Sequence, residues 1–360
     1  MKKHLIAAAV AAAVVAPAAM AQQVTIDGNM DLAFTSATKV GTAGTTSAVT
    51  AGTLFTSFLR LQGSEDLGGG LKASFVLATN IGAVTNDGPS AGSSSTTSNF
   101  SFGDRGAELT LSGGFGSIGI GKAATSDANV ITSGPTNLTN FVNSGVPASG
   151  KAFHTNTRPS NRVIYTTPSF EGFTANVAYG TNSNNGEPES KLAATQDNGK
   201  YSSVGLAYAK GPLSARVFQA KVDVDAAADP VVTFKDTGAF LAYDFGVVAA
   251  TLRYVQTEND AKTLDNSTYG LDLIAPLGNG LKLGVGYFST TVDKTANSDY
   301  SRTTVFLSKD LSKRTMIYGA YAKADNDPLA TSNAGIGAGS DTAAPGQNQS
   351  GYAVGIRHQF

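Results

Sequence analysis

The amino-acid sequence predicts an all-β fold, a transmembrane antiparallel β-barrel of about sixteen strands, from three observations. Apolar and polar residues alternate with a period of two along most of the chain, as in strands whose successive side chains point to opposite faces. Short and long connections between these runs alternate along the chain, as in barrels of the outer membrane. Aromatic residues gather near the ends of the runs, and charged residues lie in the middle of the polar faces.

The alternation begins just after residue 22. Its first apolar members are Val24, Ile26, Met30, Leu32 and Phe34, with mainly acidic, amide and hydroxyl residues between them. Similar runs begin at Leu71, Phe173, Val204, Ala239, Tyr269, Leu283, Thr303 and Tyr352. Helical spacing dominates nowhere in the chain, which excludes a helix-rich fold.

The connections between the runs come in two sizes. Short ones carry the Gly, Pro, Asn and Asp of tight turns, at residues 66–70, 112–116, 168–172, 211–212, 244–246, 276–280 and 310–314. Long ones are rich in Thr, Ser, Asn, Gly and Ala, at residues 35–52, 80–99, 123–157, 181–199 and 323–350. Antiparallel strands joined in this way place the short turns at one end of a barrel and the long loops at the other.

The first residues predict export from the cell interior. Lys2 and Lys3 precede an apolar run over residues 5–16, and Ala19 and Ala21 supply the small residues that a signal peptidase accepts. We therefore expect a signal peptide at residues 1–21 and one barrel domain at residues 22–360. Beyond residue 21 no uninterrupted apolar stretch approaches the ~20 residues of a membrane-spanning helix.

Charge and composition exclude several classes of protein. The 360 residues carry 26 Lys and Arg against 27 Asp and Glu, a formal net charge of −1, so we expect no nucleic-acid partner. The absence of Cys excludes disulfides, thiolate metal sites and a Cys nucleophile. His154 and His358 lie in different elements without ligand spacing, so we expect no metal and no other cofactor.

Two local patterns resemble phosphate-binding or catalytic motifs. Residues 114–119 match G-x-G-x-x-G, but a strand follows instead of the helix that this motif requires, so we interpret them as a β-turn. Glu65 and Asp66 lie in a short turn, where solvated residues are far more common than a catalytic pair. We therefore predict that the protein is not an enzyme.

Alternation by itself leaves a soluble β-sandwich as an alternative. In a sandwich the apolar faces pack against one another, whereas in a membrane barrel they face lipid and the polar faces line water. Charges in the middle of the polar faces favour the barrel; they are Lys72, Glu108, Arg216, Arg253, Asp272, Arg302 and Arg357.

Five stretches, taken together and in order, resemble the general porins of Gram-negative outer membranes, in particular the beta-proteobacterial type. They are SEDLGGGLKA at 64–73, LTLSGGFGSIGIGK at 109–122, the R-x-x-N-x-V-x-Y-x-T-P-x-F-x-G-F pattern at 158–173, LSKRT at 311–315 and the terminal GIRHQF. The resemblance implies an outer-membrane homotrimer, surrounded by lipid and lipopolysaccharide, through which ions and small hydrophilic solutes diffuse. It also implies that the terminal Phe360 is read by the barrel-assembly machinery.

The resemblance further implies a constriction in the lumen. The third long loop, at residues 123–157, is expected to fold inward and carries one acid, Asp127. Arg105 and Arg158 match two positions of the arginine cluster of anion-preferring relatives, and Phe58 replaces the third. Arg60 lies on the same face as Phe58, roughly 6.6 Å along the strand. Strict alternation places Arg105 on the lipid side, so its inward role rests on the resemblance and on distortion near Gly103.

The inward positions of the predicted strands carry more positive than negative charge. The basic ones are Arg60, Lys72, Arg162, Arg216, Arg253, Lys282, Arg302 and Arg357, and the acidic ones are Asp27, Asp31, Glu108 and Asp272. One Arg attracts a monovalent anion by about 0.5 kcal/mol at ~8 Å in water, so three give about 1.5 kcal/mol, near a tenfold preference. We expect a modest anion preference. An outer-membrane adhesin or enzyme with a plugged lumen is the alternative function.

Overall fold

The computed structural model describes residues 23–38, 44–81, 103–124, 158–181, 200–226, 229–336 and 344–360. Among these residues there is no helix long and apolar enough to cross a membrane. The described residues form seventeen strands: β1 Gln23–Thr38, β2 Thr45–Ala51, β3 Phe58–Gly68, β4 Leu71–Asn80, β5 Gly106–Gly113, β6 Gly116–Lys122, β7 Arg162–Thr166, β8 Phe173–Gly180, β9 Tyr201–Lys210, β10 Leu213–Ala226, β11 Asp229–Asp244, β12 Ala249–Asn259, β13 Asp265–Gly278, β14 Leu281–Val292, β15 Tyr300–Asp310, β16 Thr315–Asn326 and β17 Gln349–Gln359.

The strands close into one antiparallel barrel, which confirms the predicted fold class. From β3 onward each strand pairs with the next, and β17 pairs with β1, for example Val354 with Phe34. β2 and β3 lie on the same side of β1, β2 along its second half and β3 along its first half, so the two together fill one of sixteen positions around the barrel. Closure pairs the strand edges, as hydrocarbon requires of every backbone N–H and C=O.

The seven predicted short turns all join consecutive strands at one end of the barrel. In the first of them Gly69 and Gly70 have φ of 62° and 81°, the left-handed region that favours glycine. Of residues 114–119, predicted to be a β-turn, residues 114 and 115 form the turn and residues 116–119 already belong to β6; a strand and not a helix follows, as predicted.

The prediction that the short turns all lie at one end is wrong. Three connections at the other end are also short, between β10 and β11, β12 and β13, and β14 and β15. Most of the long loop predicted at residues 35–52 is strand, because β1 and β2 pair from Leu32 opposite Ala51 to Thr38 opposite Thr45. Its Thr, Ser and Ala content resembles a loop, but such residues are also ordinary on the inner face of a water-filled barrel.

The apolar faces of the strands point outward and are exposed. On β12, Leu252 is 52% exposed, whereas Thr251 and Arg253 on either side of it are 4% and 8% exposed. The same contrast holds around the barrel for outward residues such as Ile26, Leu109, Val177, Val204, Leu241, Tyr269, Tyr287, Val305 and Val354. These apolar faces point away from the interior instead of packing on one another, so the structure rules out the soluble sandwich. A continuous apolar outer surface of this kind requires lipid.

One part of the barrel interior is filled by apolar side chains. The inward residues of β16, β17 and β1 there include Ala320, Ala322, Ala353 and Ala33, which leave room along the wall. Residues 52–57, which connect β2 to β3, fold onto this wall and bury Leu54 and Phe55; we call them the inlay. The cluster also contains Ala334 and Ile336, which follow β16, and the inward side chains of Ile274, Phe306, Met316 and Tyr318. We call this region the filled sector.

Candidate functional site: a basic cluster on the inner wall

Phe58 is the first residue of β3, and the basic residues described below lie near it on the inner wall of the barrel. It pairs directly with Asn29 on β1 and Asn80 on β4, and directly paired residues point to the same face of a sheet. Arg60, two residues further along β3, pairs with Asp27 and donates to its carboxylate over 2.9 Å. Phe58 and Arg60 therefore share the inward face of β3.

Arg105 reaches Phe58 because it lies just before β5 rather than within it. Gly103 has φ of 99°, a left-handed conformation that turns the chain ahead of the strand. The Arg105 N–H then donates to the carbonyl of Ala78 over 3.1 Å, and the guanidinium donates to Oδ1 of Asn80 over 3.0 Å. The alternation that would point Arg105 outward does not extend to this residue, since β5 begins at Gly106.

The Phe58 ring lies close to two guanidinium groups. Its centroid is 4.9 Å from Cζ of Arg105 and 5.9 Å from Cζ of Arg60. The negative face of an aromatic ring attracts cations at such distances, so Phe58 holds two positive charges although it brings none itself.

Arg158 and Asp104 lie within electrostatic reach of Arg105. Both oxygens of the Asp104 carboxylate accept hydrogen bonds from Asn80, each over 3.0 Å. The pKa of Arg105 is lowered to about 10, mainly by burial and also by the charges of Arg158 and Arg60, while the charge of Asp104 raises it. Burial likewise lowers the pKa of Arg158, against the effect of Asp104. Both arginines stay cationic at neutral pH.

The cluster carries a net positive charge. Lys122, at the end of β6, interacts with the charges of both Asp104 and Arg158. Four basic groups (Arg60, Arg105, Lys122 and Arg158) therefore face two carboxylates (Asp27 and Asp104), which leaves two positive charges. We call this region, from β3 to the start of β7, the charged sector.

Arg162 and Glu108 form a pair of their own. Arg162 on β7 is 1% exposed; its guanidinium contacts the Glu108 carboxylate and donates to the Ala124 carbonyl over 2.9 Å. Gly121 of β6 pairs with both residues, so no side chain separates them. The structure thus joins two of the predicted pore-lining residues into an ion pair that adds no net charge.

The remaining predicted site residues lie apart. Lys72 is exposed near the short-turn end of β4, opposite Asp66 and Ser112. Six residues separate it from Ala78, so it lies roughly 20 Å along the strand from the level of Arg105. Asp127 and the rest of residues 125–157 lie outside the described part of the chain.

Sequence reasoning missed Asn80, Asp104 and Lys122. Asp104 stands next to Arg105 in the F-G-D-R-G stretch, so an ion pair near that position could have been suspected. Asn80 and Lys122 gave no signal, because their importance comes from the neighbours that the strand register provides.

Comparisons with known proteins agree with this architecture. A family model described as Gram-negative porin matches residues 7–329. Outer membrane porin protein 32 of Delftia acidovorans is 33% identical, with 100% of both chains covered. An outer membrane porin protein of Bordetella pertussis is 28% identical over 73% of this chain and 76% of its own.

Solved structures extend the comparison. The anion-selective porin from Comamonas acidovorans superposes with a TM-score of 0.77 and 28% identity, covering 94% of this chain and 100% of its own. OmpT of Vibrio cholerae, at 13% identity, superposes with a TM-score of 0.65 over 94% of this chain and 98% of its own, which is a likeness of fold alone.

Proposed function

Because the chain belongs to the Gram-negative porin family, whose members form passive channels in the outer membrane, we propose that this channel prefers anions and that the charged sector sets the preference. The observation that carries the proposal is the convergence of Arg60 and Arg105 on the Phe58 ring with Arg158 and Lys122 in electrostatic reach. Similarity to the anion-selective porin from Comamonas acidovorans supports the same direction.

The carboxylates reduce the size of the expected preference. At ~8 Å in water each unit charge acts on a monovalent anion with about 0.5 kcal/mol, so the two net positive charges give about 1 kcal/mol. That corresponds to roughly a fivefold enrichment of chloride beside the wall, instead of the tenfold expected from three arginines alone. Salt weakens the effect, because the Debye length is ~8 Å at physiological ionic strength.

The mechanism is selection without tight binding. A solute stays in water throughout its passage, and the cationic wall raises the local concentration of anions while lowering that of cations. Asn80 positions Arg105 and Asp104 at the same time, so the cationic and anionic groups of the wall are fixed relative to each other. This passage requires no step that makes or breaks a covalent bond, which supports a channel without enzymatic activity.

Several further properties belong to the same proposal. We expect removal of residues 1–21 as a signal peptide, leaving residues 22–360 as the barrel domain. A homotrimer is supported by the trimer-form structure of OmpT from Vibrio cholerae, which superposes with a TM-score of 0.63. Lipopolysaccharide, ions, small hydrophilic solutes and, through Phe360, the barrel-assembly machinery are the expected partners.

Planar-bilayer recording tests the proposal. With purified protein and a tenfold gradient of KCl, the reversal potential should have the sign of a chloride-preferring channel. Arg105→Ala should lower the chloride-to-potassium permeability ratio about fivefold, because the lost charge attracts chloride and repels potassium by about 0.5 kcal/mol each. Lys210→Ala is the control: it also removes one positive charge, but from an exposed pair with Glu171 near the short-turn end.

Three results would contradict the proposal. A cation-preferring reversal potential of the unmodified protein would refute the assigned preference. An equal change in Arg105→Ala and Lys210→Ala would show that total charge, not the charged sector, sets the preference. Absence of conductance altogether would favour the alternative of a plugged barrel.

A further inference from the structure

We propose that Asp31 is a positioning residue that holds the inlay flat against the inner wall and so keeps the lumen beside the charged sector open. The position of the inlay is independent of the proposed function; only the statement that the open lumen conducts ions rests on it. Asp31 lies in the middle of β1 and is 0% exposed. It is distinct from Asp27 and Asp104, the two carboxylates of the charged sector.

The Asp31 carboxylate accepts hydrogen bonds from the inlay and from β16, which is separated from β1 by β17. Its Oδ2 accepts hydrogen bonds from the backbone N–H groups of Leu54, over 2.7 Å, and of Phe55. Its Oδ1 accepts a hydrogen bond from the Tyr318 hydroxyl of β16 over 2.7 Å. One carboxylate thus joins three elements: β1, the inlay and β16.

The backbone of Asp31 holds both ends of the inlay. Its carbonyl accepts from the N–H of Gly52 over 2.9 Å and from the Ser57 hydroxyl over 3.2 Å, and its N–H donates to Oγ of Ser57 over 3.0 Å. The inlay therefore begins and ends at the residue that also binds its middle. The hydrogen bonds of the Asp31 carboxylate are charge-assisted; such bonds are stronger than neutral ones, and they are costly to break where water is excluded.

The inlay in turn connects to the charged sector. Its Thr56 carbonyl accepts a hydrogen bond from Asn29 over 3.0 Å, and Asn29 accepts one from Arg357 over 2.6 Å. The Phe55 ring lies 3.5 Å from Cζ of Arg357. Phe58, which holds Arg60 and Arg105, follows the inlay directly. A displaced inlay would therefore disturb Arg357 and Phe58 together.

The direction of the displacement follows from the architecture. β1 and its neighbours occupy the wall behind the inlay, so residues 52–57 can leave their place only toward the lumen. Loss of the Asp31 carboxylate should therefore expose the inlay to water and narrow the path for ions.

The test uses the absence of native Cys. Thr56→Cys places a single thiol on the inlay, and its reaction rate with N-ethylmaleimide, a neutral reagent, reports its exposure without an effect of charge. We expect Asp31→Asn to raise this rate at least fivefold and to lower the single-channel conductance at least 1.5-fold. Asp236→Asn is the control, since Asp236 is equally buried in the wall of β11 but bonds to Thr257, far from the inlay.

Tyr318→Phe keeps the proposal testable if Asp31→Asn does not fold. The change removes one hydroxyl and no charge, and keeps the ring that lies over Gly355. We expect the labelling rate to rise about twofold and the conductance to fall. Labelling rates that stay within 1.5-fold of the starting protein in whichever of these variants folds would overturn the proposal. Because labelling does not depend on conduction, that result would leave the proposed channel function untouched.

Discussion

The charged and filled sectors are both built from inward faces of barrel strands but use opposite chemistry. In the charged sector, large basic side chains and their counter-charges line the wall. Arg60 and Arg105 lie close to the Phe58 ring there. In the filled sector, alanines line the wall and the inlay packs Leu54 and Phe55 onto them. A wide barrel can therefore have an asymmetric lumen, with one wall thickened by packing and the other left to act on ions.

The largest loss of stability should appear in the charged sector, when the buried guanidinium of Arg162 loses its carboxylate partner. Glu108→Ala removes the carboxylate that neutralises Arg162, which is 1% exposed, and should destabilise the barrel by about 3–5 kcal/mol. Circular-dichroism unfolding in denaturant measures this loss. Glu258→Ala is the control, because its pair with Lys235 is about one third exposed and should contribute at most about 1 kcal/mol. Equal losses in both variants would contradict the distinction between buried and exposed pairs.

Overpacking should affect the filled sector next. Ala322 is 1% exposed within the apolar cluster, so Ala322→Leu should destabilise the barrel by about 1–3 kcal/mol in the same unfolding measurement. Ala250→Leu adds the same atoms to the outward face, where it pairs with Tyr243 and Leu273, and should be nearly neutral. A neutral Ala322→Leu would mean that the sector is not filled.

Adding charge should sharpen the charged sector. Phe58→Arg places a further guanidinium beside Arg60 and Arg105 and should raise the chloride-to-potassium permeability ratio about fivefold, because the added charge attracts chloride and repels potassium by about 0.5 kcal/mol each at ~8 Å. The reversal potential in a KCl gradient measures it. Phe58→Leu removes the ring without adding charge, so a similar rise in that variant would assign the effect to loss of the ring.

The smallest effect should be that of pH. An arginine whose pKa is lowered to about 10 is charged below that pH and loses charge only as pH rises through it, which is the case for Arg105. The permeability ratio should therefore be constant from about pH 6 to about 8.5 and fall near pH 10. A fall that begins near neutral pH would place the controlling charge on another group.

The barrel itself could be predicted from the sequence because its signals are local. They are the alternation of apolar and polar residues, the residues typical of tight turns, and the charged residues in the middle of the polar faces. The strand at Thr45–Ala51 was missed, since its small polar residues resemble a loop when the partner strand is unknown. Strict alternation would point Arg105 outward, but the rule does not apply to this residue because β5 begins one residue later.

The candidate site was predictable only in part. Phe58, Arg105 and Arg158 came from the family resemblance, and Arg60 came from its spacing to Phe58. The pairing of Arg162 with Glu108 could not be read from the sequence, because it depends on Gly121 lying between them in the register. The inlay and its attachment to Asp31 also depend on contacts between residues more than twenty positions apart.

The central claim is that the charged sector is a wet, anion-attracting wall and the filled sector is a dry, packed one. Anomalous diffraction from crystals soaked in bromide tests this claim most directly, because it locates anions by element. We predict bromide peaks beside the guanidinium groups of Arg60, Arg105 and Arg158 and none among Leu54, Phe55 and Ala322. Bromide within the filled sector, with none at the charged sector, would contradict the claim.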